Sequence, residues 1–233
     1  MARLHHGLMR ELIEEIVTGE LQPGEMLPRE LDLTERFDVS RGVVREGIRA
    51  LEERGLVAVK HGKGATVTEP ALWSALDEDV LDVMIASGAS DRLAEVLECQ
   101  RMFEVQAAGL AAQRATPAEV AELEEAVRQM GDLARRVGGS RTSAARYQEA
   151  RLAFHRGVVR AAGNATLTRL SEPLHRVLAA VGRRSAPPRE ERLEAEMAEY
   201  RDISATIAAH DAEQASAAMD RRLEAVAREL LAS

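Results

Sequence analysis

The feature that most constrains this chain is the spacing of its apolar residues beyond residue 77. Over 77–85, 92–114, 117–136, 142–162, 165–183, 189–209 and 211–231 they recur every three or four positions. That is the period of an amphipathic helix. The breaks fall at Gly88, Thr116-Pro117, Gly138-Gly139, Gly163-Asn164, Pro187-Pro188 and His210-Asp211, residue types that stop or restart helices. The pattern predicts an all-helical bundle of six to seven helices. Composition agrees. Hydrophobic residues make up 45% of the chain but aromatics only 3%, so the core must come from Leu, Val, Ile, Ala and Met. Such a core favours packed helices over aromatic-rich sheets.

The first 70 residues read differently. Apolar residues at Leu8, Leu12, Ile13 and Ile16 mark a helix that Gly19 ends, and Pro23-Gly24 marks a turn. A second helix is expected over 29–37, with Leu31, Leu33 and Phe37 as its apolar positions. Ser40 is a natural N-cap for a third helix running to Arg54, and Gly55 suits its C-terminal end. The runs 56–60 and 65–68 then flank a Gly-containing turn, which reads as a hairpin. Three helices followed by a hairpin make a winged helix-turn-helix. The expected fold is therefore mainly α: a winged helix-turn-helix over 1–70, a linker over 71–76 and a helical domain over 77–233.

The net charge of −8 argues against a uniformly basic surface, but a nucleic-acid-reading face needs only a local cluster. The third predicted helix supplies one. Arg41, Arg45 and Arg49 are spaced four apart and share one helix face, while Val44, Ile48 and Leu51 lie on another. An Arg on a helix in the major groove pairs bidentately with guanine, and a helix N-terminus capped by Ser40 favours phosphate. Lys60, His61 and Lys63 surround glycines at the hairpin tip. Three spaced arginines alone fit a solvated face of Arg–Glu pairs equally well. The complete order of helices and basic wing favours DNA.

Several segments carry a family resemblance. Leu27-Pro28-Arg29-Glu30, Val39-Ser40-Arg41, Val44-Arg45-Glu46 and Leu51-Glu52-Glu53-Arg54-Gly55-Leu56 resemble the N-terminal signature of the GntR family. Arg101-Met102-Phe103-Glu104, the run 110–116, and Phe154-His155 through Gly163-Asn164 resemble the FCD ligand-binding domain of its FadR subfamily. The resemblance implies DNA contacts from Arg41, Arg45 and the His61-Gly62 tip, with Ser40 and Gly42 against the DNA backbone. Members often carry an Arg where Leu31 stands. Either Arg29 substitutes from the adjacent turn or one contact is missing. The resemblance further implies a homodimer on a palindromic double-stranded operator, usually as a repressor relieved by a ligand.

Many FCD domains hold a divalent metal with one Asp and three His. Aligned on Phe154-His155, Arg151 stands at the Asp position, and Tyr200 and Arg222 stand where two histidines would. Only His155 remains. Guanidinium offers no lone pair and a permanent positive charge, so no metal and no other cofactor is expected. Arg151, His155, Tyr200 and Arg222, with Arg101 as a further fork, would instead suit a carboxylate or phosphate. The expected effector is a small anionic metabolite of the sugar-acid or sugar-phosphate type. From periodicity alone, Arg151 and Arg222 read equally as solvated and Tyr200 as ordinary core, and the pocket could have lost ligand binding.

Other residues carry less. Glu104 is expected to pair with a neighbouring Arg or a backbone group, Asn164 to cap a helix, and Cys99 to be a small buried residue. His5, His6, His175 and His210 have no partner at metal spacing, and the Glu- and Arg-rich stretch 189–228 reads as a solvated face. No P-loop, dinucleotide-binding glycine pattern, His-Glu-x-x-His or nucleophile elbow is present, and Glu124-Glu125 point apart on a helix. These features argue against an enzyme. A helical interaction protein without DNA specificity is the other reading. No apolar run reaches the roughly 18 residues of a membrane helix, and residues 1–10 do not resemble a secretory signal, so a cytoplasmic protein is expected.

Overall fold

The computed structural model describes residues 2–60, 62, 64–74, 76–87, 90–136, 141–184 and 190–231. The breaks expected at Gly88, Gly138-Gly139 and Pro187-Pro188 lie outside these residues, as do His61 and Lys63. The chain divides into two compact units, Met1–Arg92 and Leu93–Ser233.

The N-terminal unit is built on α1 (Ala2–Thr18), α2 (Glu30–Phe37) and α3 (Arg41–Glu53), followed by strands β1 (Val57–Lys60) and β2 (Gly64–Val67). Leu8, Leu12, Ile13 and Ile16 of α1 are fully buried against Leu33 of α2 and Val44 and Leu51 of α3. Each such side chain contributes about 1.5–3 kcal/mol by leaving water. Gly47 is the contact point of α3 with α1, since a Cβ there would lie 2.5 Å from Leu8 Cδ2. The strands pair antiparallel, with Val57 opposite Val67 and Lys60 opposite Gly64. The chain before α2 extends this hairpin. Met26 bridges Thr66, and Leu27 N–H donates to Ala65 O at 2.9 Å. That third edge was not evident from sequence, because its pairing is non-local.

Two expectations for this unit change. Leu31 does not serve the core of α2; it is 51% exposed. Helix α4 (Glu78–Ala86), expected to open the helical domain, packs on α1 and belongs to the N-terminal compact unit. Its N-cap is Asp77, whose carboxylate accepts from Asp79 N–H and Val80 N–H. Val80, Val83 and Met84 bury an apolar face that joins the core of this unit.

The segment expected as a linker is laced to the end of α3. A 3₁₀ turn spans Pro70–Leu72. Ser74 N–H donates to Arg54 O at 2.9 Å, and Trp73 Nε1–H donates to Thr68 O at 3.2 Å. Arg54 in turn meets Asp77 at 3.1 Å and Asp79 at 3.3 Å.

The C-terminal unit is helical: α5 (Ser90–Arg114), α6 (Pro117–Ala134), α7 (Arg141–Ala161), α8 (Ala165–Arg184), α9 (Glu190–Ala208) and α10 (Ala212–Leu231). Thr116 and Glu119 form a reciprocal capping box at the start of α6, with Pro117 at its first position. Asn164 caps α8 as expected, accepting from Thr166 and Leu167 N–H at 3.1 Å each. His210 takes a left-handed φ of 57°, and Asp211 caps α10 through Gln214 N–H. The core of this unit is rich in alanine: Ala107, Ala108, Ala111, Ala215 and Ala218 are all buried in it. Where α5 meets α10, a Cβ on Gly109 would lie 2.5 Å from Ser216 Oγ. Small residues let the two backbones approach and leave the larger side chains to line the middle of the bundle. Cys99, expected inside, is exposed on α5. It falls off the stripe that Val96, Leu97 and Gln100 bury.

Candidate nucleic-acid interface and ligand site

Helix α3 begins where Ser40, with extended backbone, accepts from Val43 N–H at 3.4 Å. This leaves the first turn of the helix open to solvent, and Ser40, Arg41, Gly42, Arg45 and Arg49 are all exposed. Val44, Gly47 and Leu51 are buried on the opposite side and fix the helix to the core. Arg41 and Arg45 make no ion pair among the described residues. Arg49 does, with Glu53 one turn on at 3.5 Å. One of the three arginines is therefore a helix-surface pair of modest worth, and the free positive charge concentrates at the N-terminal end of α3. Arg29 precedes α2, exposed, with its backbone N–H held by Asp32 Oδ2 at 3.2 Å. Arg36, by contrast, is tied to Glu11 and Glu15 of α1. The wing is fixed to the same helix, since Val59 N–H donates to Glu52 Oε1 at 3.1 Å. At its tip Gly62 is exposed, with φ of 73° and open space around it.

In the C-terminal unit, Arg151 and His155 on α7, Tyr200 on α9 and Arg222 on α10 come together, as expected. Arg101 does not join them. It is half-exposed and forms a two-pronged pair with Asp220, Nε to Oδ1 at 2.5 Å and Nη2 to Oδ2 at 2.8 Å. That pair holds the Arg101 guanidinium charged and the Asp220 carboxyl below its ordinary range.

The centre of the cluster is Glu104, fully buried on α5. Its partners are neither an Arg nor a backbone group. Oε1 accepts from Gln100 Nε2 at 3.0 Å and from His175 Nε2 at 3.0 Å, and Oε2 meets His155 Nδ1 closely. Burial alone would raise the Glu104 pKa. The imidazoles of His155 and His175 outweigh it and hold the carboxyl well below the usual carboxylate range. An ionised carboxylate only accepts, so the ring nitrogens facing it carry the protons. In that tautomer His155 turns its Nε2 lone pair toward Tyr200, whose O–H donates to it at 2.9 Å. Burial raises the Tyr200 pKa and keeps the phenol protonated.

Arg222 lies across the other face of Tyr200, its guanidinium carbon 5.1 Å from the ring centroid. It is 2% exposed and, with Glu196, departs from the solvated face expected of this stretch. Burial opposes its charge, but Tyr200 and Glu196 together hold the proton firmly. Nη2 donates to Glu196 Oε1 at 2.6 Å and Nη1 to Glu199 Oε2 at 3.0 Å. Arg151 Nη1 reaches the same Glu196 oxygen at 3.4 Å. The two guanidinium forks expected to stand free are thus already joined by a carboxylate. Glu196 was not evident from sequence as a site residue. The signal was present: it lies with Leu193, Met197 and Tyr200 on the buried stripe of α9. Glu104 and His175 sit on buried stripes in the same way.

Among Arg151, His155, Tyr200 and Arg222, one imidazole nitrogen offers a lone pair, beside a protonated phenol that is a weak metal ligand and two guanidiniums that offer none. This is a poor donor set for a divalent cation. Among the described residues no group of three or more His, Cys, Asp or Glu side chains is arranged to hold a metal ion.

A capped helix with free arginines, fixed to a wing and joined to a helical bundle with a buried polar centre, defines a winged-helix DNA-binding regulator. Residues 5–67 match the bacterial regulatory proteins of the gntR family, and residues 95–225 match the FCD domain. The chain is similar to the galactonate operon transcriptional repressor of Escherichia coli K12, 30% identical over 210 residues, covering 88% of this chain and 89% of that one. It is also similar to the Uxu operon transcriptional regulator of the same organism, 30% identical over 164 residues, 70% of this chain and 59% of that one. Among solved structures, Lar, which controls the agr system of Listeria monocytogenes, shares the fold with a TM-score of 0.66 at 19% identity, covering 97% of this chain and 95% of that one. The chain belongs to the GntR family, in the FadR-type group that carries an FCD domain, and is a DNA-binding transcriptional regulator rather than an enzyme. Among the described residues no helix is long and apolar enough to cross a membrane.

Proposed function

We propose that this regulator acts in the cytoplasm as a homodimeric repressor, released from a palindromic operator by a small anionic metabolite of the sugar-acid type, without a metal. The observation that carries the effector reading is the convergence of Arg151, His155, Tyr200 and Arg222 into one buried polar cluster inside the FCD domain. The names of the relatives, one a repressor of a galactonate operon, support the same ligand class. On the DNA side we assign base reading to Arg41 and Arg45, and supporting contacts to Arg29, Ser40, Gly42, Arg49 and the wing tip His61, Gly62 and Lys63.

Binding to the DNA upstream of the protein's own gene tests the first half. Affinity should fall steeply with salt. Arg45→Ala should weaken it by roughly ten- to a hundredfold at fixed salt while helical content is unchanged. Undiminished binding by the variant would remove Arg45 from the reading face. D-galactonate, D-gluconate and glucose 6-phosphate, added to the complex, test the second half through release of the DNA.

A thermal-shift comparison tests the metal-free assignment. Zinc and nickel should leave the melting temperature unchanged. Stabilisation by either metal that disappears in His155→Ala would overturn it. A second reading, a pocket that no longer binds any ligand, draws on the pairing of both arginines with Glu196 and of Arg222 with Glu199. Release of the operator by none of the three anions would favour it.

A further inference from the structure

The charge of the ligand cluster is balanced from within, and the balance is incomplete in one specific way. An arginine offers its Nε and Nη2 hydrogens along one edge, matched to the two oxygens of a carboxylate. Arg101 shows the full match in this protein, with Nε and Nη2 each on a separate oxygen of Asp220. Arg222 does not. Glu196 gives it Oε1 alone, through Nη2, and shares that oxygen with Arg151. Nε, on the same edge, is buried and has no hydrogen-bond partner among the described residues. The Tyr200 hydroxyl donates to His155 Nε2 and turns its lone pairs toward the Arg222 guanidinium beside it, but Nε itself makes no well-aligned bond.

Other donors nearby lack a good acceptor. Tyr147, fully buried on α7, points its hydroxyl at Met197 Sδ at 4.0 Å, and burial next to the Glu196 charge pushes the phenol pKa up, so it keeps its proton. Ser204, one turn beyond Tyr200 on α9, has a buried hydroxyl without a partner among the described residues. A buried donor without an acceptor is costly and points to a group missing from the site. The Arg222 Nε–H and the Tyr147 O–H both lack a good acceptor, and a carboxylate carries only acceptors.

We infer that Glu196 is a built-in substitute for the acid group of the ligand. In the ligand-free protein it occupies half of the Arg222 edge and bridges to Arg151. An incoming carboxylate takes the whole edge, Nε and Nη2 together, and binding is an exchange of one carboxylate for another. Glu196 then sets both the affinity and the resting state of the site. This rests on the effector reading above and names the atoms that would serve it.

The test uses the full-length protein and acetate, the smallest carboxylate that fits the space left by Glu196→Ala. At about 50 mM acetate, against chloride at equal ionic strength, the melting temperature of Glu196→Ala should rise by roughly 3–6 °C, as a millimolar site predicts for a chain of this size. The wild type, whose own carboxylate competes, should shift by less than about 1 °C. The double variant Glu196→Ala/Arg222→Lys should lose the response, because lysine has no two-pronged edge. An acetate response in Glu196→Ala equal to that of the wild type would overturn the inference, as would a response that survives Arg222→Lys. If Glu196→Ala does not fold, Glu196→Gln serves in its place: it keeps the volume and loses the charge, and its acetate response must likewise exceed the wild type's. Failure here with operator release by D-galactonate intact removes the exchange and leaves the effector reading standing. The reverse result keeps the exchange site and removes the sugar-acid assignment.

Discussion

Replacing Glu104 with alanine is expected to cost the C-terminal unit about 3 kcal/mol or more, because the buried donors of Gln100, His155 and His175 lose their acceptor at roughly 1–3 kcal/mol each. The carboxylate collects donors from Gln100, His155 and His175, and none of the three has water as a substitute. Glu104→Gln keeps the shape but sets an amide N–H against an imidazole N–H, and should fall between wild type and alanine. The pH dependence follows from the direction of the Glu104 shift. Its folded pKa lies below the unfolded value of about 4.3, so its contribution is complete above that value and is lost as pH falls toward the folded one. Urea midpoints of wild type and Glu104→Gln should therefore begin to converge below about pH 4 and draw closer as pH falls further toward the folded value. Equal midpoints at pH 7 would mean that the network adds nothing to stability. The functional consequence is separate. Glu104 fixes the tautomer and ring plane of His155, so the effector response should weaken in Glu104→Gln even where the fold survives.

Gly55→Ala is the second large effect, here on the N-terminal unit. Gly55 follows α3 with φ of +73°, and a Cβ there would sit 2.1 Å from Leu72 O. The left-handed conformation alone costs roughly 1–2 kcal/mol for a residue with a side chain. The contact is with backbone, so the Pro70–Leu72 turn must also move. The total should reach about 3 kcal/mol or more, lowering the melting temperature by roughly 6–12 °C. Gly62→Ala is the control. It shares the φ of +73° but has open space around it, so it should show the conformational cost alone. Equal losses for the two variants would show that close approach at Gly55 does not matter. Because that turn is tied to α3 through Ser74 and Arg54, operator affinity should fall in Gly55→Ala beyond what its stability explains.

The legible parts of this protein were those set by local chemistry. Helix periods are written every three or four residues, caps are written at Ser40, Thr116 and Asn164, and the left-handed turns are marked by glycine. The exposed basic end of α3 was legible for the same reason, as the arginines and their apolar counterparts alternate within one helix. Leu31 and Cys99 were misjudged because periodicity names an apolar position without saying whether a neighbour covers it. The packing of helix α4 on α1 was not legible on similar grounds: an apolar face does not declare its partner.

Sequence by itself determined that a capped, arginine-bearing helix followed by a glycine-tipped hairpin precedes a bundle of helices. It also led to the expectation that Arg151, Tyr200 and Arg222 stand with His155 at the ligand site. Tertiary structure alone decided what those residues face. Glu104, His155, His175, Glu196 and Arg222 lie on five different helices, α5, α7, α8, α9 and α10, far apart along the chain. Whether a buried charge is free to bind a ligand depends on which opposite charge the packing brings within about 3 Å, because in a low-dielectric interior that separation decides the balance between desolvation and attraction. The first turns of α3 kept Arg41 and Arg45 facing solvent, without an ion pair among the described residues. The bundle supplied its arginines with a carboxylate of their own.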